Sequence, residues 1–144
     1  MNTIFKLRNF LFSFIHTVGR SFQEELDVAL PQFMILSAIS SNPMGTQAVL
    51  AEVRKITPAA ISKQMNILLK KKLIIRKNSI HDKREHSIIL TPKGTKVFEK
   101  GMRIFKKHQD EVFKDIPKRS AKEFDRTLDA LLTHVDTSFM ISGK

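Results

Sequence analysis
Residues 57–70 set out side chains whose types and spacing suit contact with a nucleic-acid duplex. Thr57 followed by Pro58 reads as a helix N-cap with proline at the first helical position, where its missing N–H leaves no bond unmade. On a wheel of about 100° per residue, Ile61, Met65, Leu68 and Leu69 share an inner face. Ala59, Ala60, Lys63, Asn66, Ile67 and Lys70 look outward, with Ser62 and Gln64 on the flanks. Small residues in the first turn and polar ones behind suit insertion into a major groove roughly 12 Å wide. Thr57, Ala59, Ala60, Ser62, Lys63, Gln64, Asn66 and Lys70 are therefore candidate duplex contacts. Any exposed surface helix is also polar outside, and an outward Ile67 fits neither account.

Chemistry of other kinds has little support. His16, His81, His86, His108 and His134 fall on different elements with no motif spacing, and no glycine-rich phosphate loop or Gly-x-Ser-x-Gly elbow occurs. His108 and Glu111 share a helix at i and i+3, but a metal site needs further converging ligands such as Glu24 or Glu25. No catalytic residue, metal or cofactor is expected. With no cysteine, disulfides, thiolate metal sites and thiol redox control are excluded.

Charge points the same way as the outward helix face. Lys and Arg total 25 against 14 acids, a net charge of +11. Residues 54–107 hold 16 of the cations and only Asp82, Glu85 and Glu99 as acids. The basic character is thus local, which reads as a docking surface for a polyanion rather than as an even solubility device. A length of 144 residues fits one domain, 1–144, with 42% hydrophobic residues to build a core. The apolar block 10–15 falls short of the 7 to 15 residues of a signal-peptide core and runs on toward acidic Glu24 and Glu25, so a cytoplasmic protein is expected.

Periodicity and punctuation place these residues on elements. Ile4, Leu7, Leu11, Phe14, Ile15 and Val18 mark a long first helix that Gly19 ends or weakens. A second helix opens at Pro31 and stops at residues 40–43, and Thr46 caps a short third one. After the helix from Pro58, the runs 73–76 and 87–90 read as a β-hairpin. Thr91 and Pro92 repeat the cap-and-proline signal before a fifth helix that Pro117 breaks, and Ser120 with Glu123 reads as the capping box of a sixth. The expectation is a mainly α fold with a small β-hairpin wing, a winged helix-turn-helix inside the basic segment.

The sequence resembles the multiple-antibiotic-resistance regulator (MarR) family of transcription factors. The resemblance is carried by residues 46–52, by Ile61-Ser62-Lys63, by residues 68–76 leading into the wing, and by Asp82-Lys83-Arg84 followed by Leu90-Thr91-Pro92-Lys93-Gly94, which is similar to the family's Asp-x-Arg and Leu-Thr-x-x-Gly wing signature. It implies that Ser62 and Lys63 contact DNA, that Arg84, with Lys83 beside it, lies in or beside the minor groove, and that Asp82 supports the wing by orienting Arg84 through a charge-assisted hydrogen bond. Lys72 stands where the family usually has the glycine that ends the recognition helix. Ala59 and Ala60 replace common hydroxyl residues, leaving methyls suited to thymine.

The helices outside the motif require their own explanation. Nine of the eleven phenylalanines, including Phe5, Phe10, Phe12, Phe14, Phe22, Phe105, Phe113, Phe124 and Phe139, flank the winged helix, more than one such unit can bury. The resemblance implies a two-fold homodimer, with a DNA-binding lobe over 30–92 and dimerisation helices over 1–22 and 93–144. The resulting expectation is a repressor that binds double-stranded DNA at an inverted repeat and is released by a small-molecule effector that no residue here names. Two rivals stand beside it. One is a basic membrane-associated or protein-interaction module without sequence-specific DNA binding. The other, a double-stranded RNA binder, is disfavoured by the narrow A-form major groove.

Overall fold
The computed structural model describes residues 2–78 and 86–142, without the side chains of 136–142. Its elements run α1 (Thr3–Leu26), α2 (Leu30–Ser41), α3 (Gln47–Arg54), α4 (Pro58–Lys70), β1 (Ile74–Asn78), β2 (His86–Leu90), α5 (Pro92–Phe113) and α6 (Lys118–Ser142). This is the mainly helical fold with a two-stranded wing that the sequence led us to expect. Two compact units emerge, residues 1–106 and 107–144.

In the first unit one core joins Val18 and Phe22 of α1, Phe33, Ile35 and Leu36 of α2, Leu50 of α3, Ile61, Met65 and Leu68 of α4, and Ile74 and Ile88 of the hairpin. The central α2 is apolar nearly all round because α1, α3, α4 and β2 surround it. It stops at Ser41 because Asn42 turns both its backbone N–H onto the Ile39 carbonyl and its side-chain Nδ2 onto the Ala38 carbonyl, at 3.2 and 2.7 Å. The strands pair antiparallel, with Ile74 opposite Leu90 and Arg76 opposite Ile88. The Ile88 N–H donates to the Gly45 carbonyl at 2.9 Å, tying the wing to the start of α3.

Some boundaries differ from those the sequence suggests, α2 for one starting at Leu30 and not Pro31. At Gly19, which the sequence reads as an end or only a weak point, the second holds: α1 runs through it, because the stripe that buries Val18 and Phe22 continues across it and outweighs a glycine penalty of about 1 kcal/mol. Helix α6 starts at Lys118, ahead of Ser120: the Pro117 carbonyl accepts the Ala121 N–H, and Glu123 pairs with Arg119 at 3.0 Å instead of closing a box on Ser120. Strand β1, Ile74–Asn78, begins one residue later and ends two residues later than the suggested run, and β2, His86–Leu90, begins one residue earlier.

The end of α4 shows how the chain manages without the expected glycine. Lys72 takes a left-handed conformation with φ 58°. Its N–H bonds the Leu69 carbonyl and the Leu73 N–H bonds the Leu68 carbonyl, both at 3.0 Å, which is the hydrogen-bond pattern of a Schellman ending. A side chain there carries a penalty of about 1 to 2 kcal/mol that glycine avoids, partly offset by glycine's larger unfolded-state entropy. Lys72→Gly is therefore expected to stabilise the protein by about 0.5 to 1 kcal/mol. A urea midpoint equal to or below the parent's would contradict the strain argument.

Candidate nucleic-acid interface
The α3 to α4 turn fixes the direction of the candidate recognition helix. Lys55 closes α3 in a left-handed conformation, φ 51°, and its N–H returns to the Ala51 and Glu52 carbonyls. Ile56 then bonds the Ala51 carbonyl at 3.1 Å, so only Thr57 separates that turn from Pro58. Thr57 caps α4 by accepting the Ala60 N–H at Oγ1, 3.1 Å away, which leaves its own hydroxyl proton free to donate outward. Ile61, Met65 and Leu68 anchor the inner face in the core.

On the other side Thr57, Ala59, Ala60, Lys63, Asn66 and Lys70 are exposed, and Ser62 and Gln64 are half-buried on the flanks. Gln64 turns its Oε1 inward, where it meets no partner among the described residues, and the Arg54 Nε at the end of α3 is buried in the same condition. Ile67 is half-buried rather than outward, which removes the one apolar residue that did not suit a polar face. Asp82, Lys83 and Arg84 lie outside the described residues.

The electrostatics of this surface are one-sided. From Arg54 to Asn78 the chain carries Arg54, Lys55, Lys63, Lys70, Lys71, Lys72, Arg76 and Lys77 and no acid. The helix N-terminus adds its own partial positive charge beside Thr57 and Ala59. The root of the wing is oriented toward α3 by Arg76, whose Nη2 lies 3.5 Å from the Gln47 Oε1. Lys71 holds the end of α1, with its Nζ donating to the Asp27 carbonyl and lying 3.4 Å from the Asp27 carboxylate. That contact had no signal in the sequence, since 44 residues separate the partners. Among the described residues, no three His, Asp or Glu side chains gather in a metal-binding group.

Behind the site, the Leu-Thr-x-x-Gly motif has a mechanical explanation. Thr91 donates through Oγ1 to the Lys72 carbonyl at 2.7 Å, accepts the Gly94 N–H at 2.9 Å, and bonds the Leu73 carbonyl through its own N–H at 3.0 Å. Gly94 lets α5 approach so closely that an added Cβ would lie 1.9 Å from the Leu73 carbonyl oxygen. The motif therefore locks α5 onto the end of α4 and the start of the wing.

A model of the MarR family matches residues 26–85. Solved structures match almost the whole chain. S. aureus MepR in a DNA complex is 20% identical with a TM-score of 0.81, covering 93% of this chain and 98% of that one. E. coli MarR in its reduced form is 20% identical with a TM-score of 0.79, covering 92% and 98%. A MarR/EmrR family transcriptional regulator from Acinetobacter sp. ADP1 is 17% identical with a TM-score of 0.79, covering 92% and 93%. No curated protein matches the chain in sequence.

Proposed function
We propose that this chain, which a model of the MarR family matches over residues 26–85, is a DNA-binding transcriptional regulator, a homodimeric repressor that binds an inverted repeat. The observation that carries this reading is the exposed, acid-free face of α4 presented from a capped N-terminus. The S. aureus protein of the same fold, in complex with DNA, supports it. The Thr57 hydroxyl and the Ala59 amide serve the phosphate backbone, which fixes register, since the Ala60 and Ile61 amides already bond Thr57. Ala59, Ala60, Ser62, Lys63 and Asn66 face base edges, with Lys70 toward the backbone, and Gln64 joins them once its side chain leaves the inner flank. Lys83 and Arg84 add contacts to DNA, and Asp82 orients Arg84.

In this reading residues 30–92 form the DNA-binding lobe, helices 1–22 and 93–144 hold two copies together, and the protein works in the cytoplasm. A small effector then acts by changing the spacing of the two lobes. Catalysis has no part in it. Among the described residues no helix is long and apolar enough to cross a membrane.

Selection of duplexes from a random pool by the full-length protein tests the reading, and enrichment of an inverted repeat is expected. On the selected duplex Lys63→Ala should weaken binding by about 1 to 3 kcal/mol if it reads a base edge, and by much less on a scrambled one. Equal loss on both assigns Lys63 to phosphate. No enrichment of any sequence would overturn specific DNA binding.

A further inference from the structure
We infer that the outer face of α5 is a second phosphate-binding surface, a basic ridge that holds duplex DNA flanking the segment read by α4. The inference rests on the DNA-binding reading above. Lys93, Lys96, Lys100 and Arg103 are all exposed. Their spacing puts them within an arc of about 80° along about 15 Å of helix, beside the face that buries Gly94, Gly101 and Ile104.

The ridge is joined to the recognition helix. The Lys93 Nζ donates to the Lys71 carbonyl at 3.1 Å, so the line of cations continues into Lys70, Lys71 and Lys72 at the end of α4. The Lys100 Nζ is held in place by the Glu25 carbonyl at 3.1 Å. Acids near this line are three: Glu25, whose carbonyl holds Lys100, Asp27, beside Lys71, and Glu99, on the edge of the α5 stripe.

The stability of α5 itself does not explain Lys93 and Lys96. Lys93 and Lys96 occupy the first turns of α5, where cations oppose the helix dipole, and no acid is present in the first turn to balance them. An incoming phosphate would reverse that penalty. Lysines without aromatic anchors fit a phosphate backbone better than a protein partner, whose contact surfaces favour aromatic residues and are poor in lysine. A membrane surface fits less well, because the apolar face of α5 is already committed to the core and no apolar residue interleaves the four cations. A two-fold contact between copies through this face would set like charges together.

The test uses the full-length protein, an arbitrary duplex of about 24 base pairs and the same duplex extended to about 60, with binding measured across a range of salt concentrations. The salt slope is the main readout, since additional overlapping sites on the longer duplex do not alter it. The parent should show a steeper slope on the long duplex. The triple variant Lys96→Gln, Lys100→Gln, Arg103→Gln should lose about 0.9 of slope per phosphate contact removed and about 10-fold or more in affinity on the long duplex, with little change on the short one. A charge-keeping control, Lys96→Arg, Lys100→Arg, Arg103→Lys, should behave like the parent. A parent slope that ignores duplex length, or a variant that loses equally on both, overturns the ridge while leaving the recognition helix intact. A parent that binds phosphatidylserine vesicles and neither duplex overturns the ridge and the DNA-binding reading together.

Discussion
Gly94→Ala is expected to destabilise the protein by about 3 kcal/mol or more, far beyond the usual effect of adding one methyl group. The added Cβ would lie 1.9 Å from the Leu73 carbonyl oxygen, 2.9 Å from its carbon and 3.3 Å from its Cα. All three are backbone atoms, so no rotamer change relieves the clash. Only a shift of α5 away from the end of α4 does so, and that shift strains the Thr91 bonds to Lys72, Leu73 and Gly94. The same substitution at Gly19 should act in the opposite direction. Beyond the neighbouring residues and the backbone of its own helix, nothing among the described residues lies within 4 Å of a Cβ built there, and alanine in place of glycine inside a helix contributes about 0.5 to 1 kcal/mol. Urea unfolding of the two variants beside the parent checks both signs. A Gly94→Ala protein as stable as the parent would mean that α5 does not approach Leu73 this closely.

Gly101 belongs with Gly94, although its obstruction has a different character. A Cβ there would lie 2.3 Å from Phe33 Cε2 and 2.8 Å from Phe22 Cε1. Those two rings pack with centroids 4.5 Å apart in the core between α1 and α2. The sequence shows the two glycines but not what each one faces, because the opposing atoms come from distant elements.

The same distinction separates what was legible in the sequence from what was not. Caps and prolines act within a few residues, so Thr46, Thr57 and Pro58 mark the starts of α3 and α4 where the structure has them. Wheel periodicity likewise identifies Ile61, Met65 and Leu68 as inward-facing. The continuation of α1 through Gly19 depended on burial of Val18 and Phe22 against other elements, which outweighs a local helix breaker. The side-chain state of Gln64 was equally hidden. On a wheel it is a flank position, and only the packing of α4 turns its Oε1 inward. Lys72 was visible as a departure from the family pattern, but whether the chain would keep the left-handed ending or replace it depended on the Lys72 and Leu73 amides finding the Leu69 and Leu68 carbonyls.

The phenylalanine surplus divides in the same manner. Phe22 is buried, and Phe14 meets Phe105 edge-on at 5.5 Å against the core, so the chain's own first unit takes these three. Phe113 and Phe124 are neighbours at 6.3 Å in the second unit. Phe5 and Phe12 remain more than half exposed, and the side chain of Phe139 lies outside the described residues.

Leu132→Asp combined with Val135→Asp is expected to convert the protein from dimer to monomer at micromolar concentration. In α6, Phe124, Leu128, Leu131, Leu132 and Val135 recur on one face, and Leu132 and Val135 are 61% and 63% exposed. In α1 a single stripe runs from Ile4 through Leu11 and Ile15 to Val18 and Phe22, buried at its C-terminal end and exposed over the first part. Such a stripe leaving the core for solvent is how a helix looks when a second copy covers the rest. Burying one aliphatic side chain contributes about 1.5 to 3 kcal/mol, and two-fold symmetry doubles every substitution. The double variant thus removes several kcal/mol of association and places carboxylates in an apolar contact, so dimerisation should weaken by about 1,000-fold or more. A dimer also holds two recognition helices about 34 to 36 Å apart on one face of the duplex, so its loss should remove binding to an inverted repeat while leaving weak binding to a single half-site. Sedimentation equilibrium with matched DNA titrations measures both consequences. A parent that sediments as a monomer, or a double variant that still dimerises and binds as the parent does, would refute dimerisation through these faces.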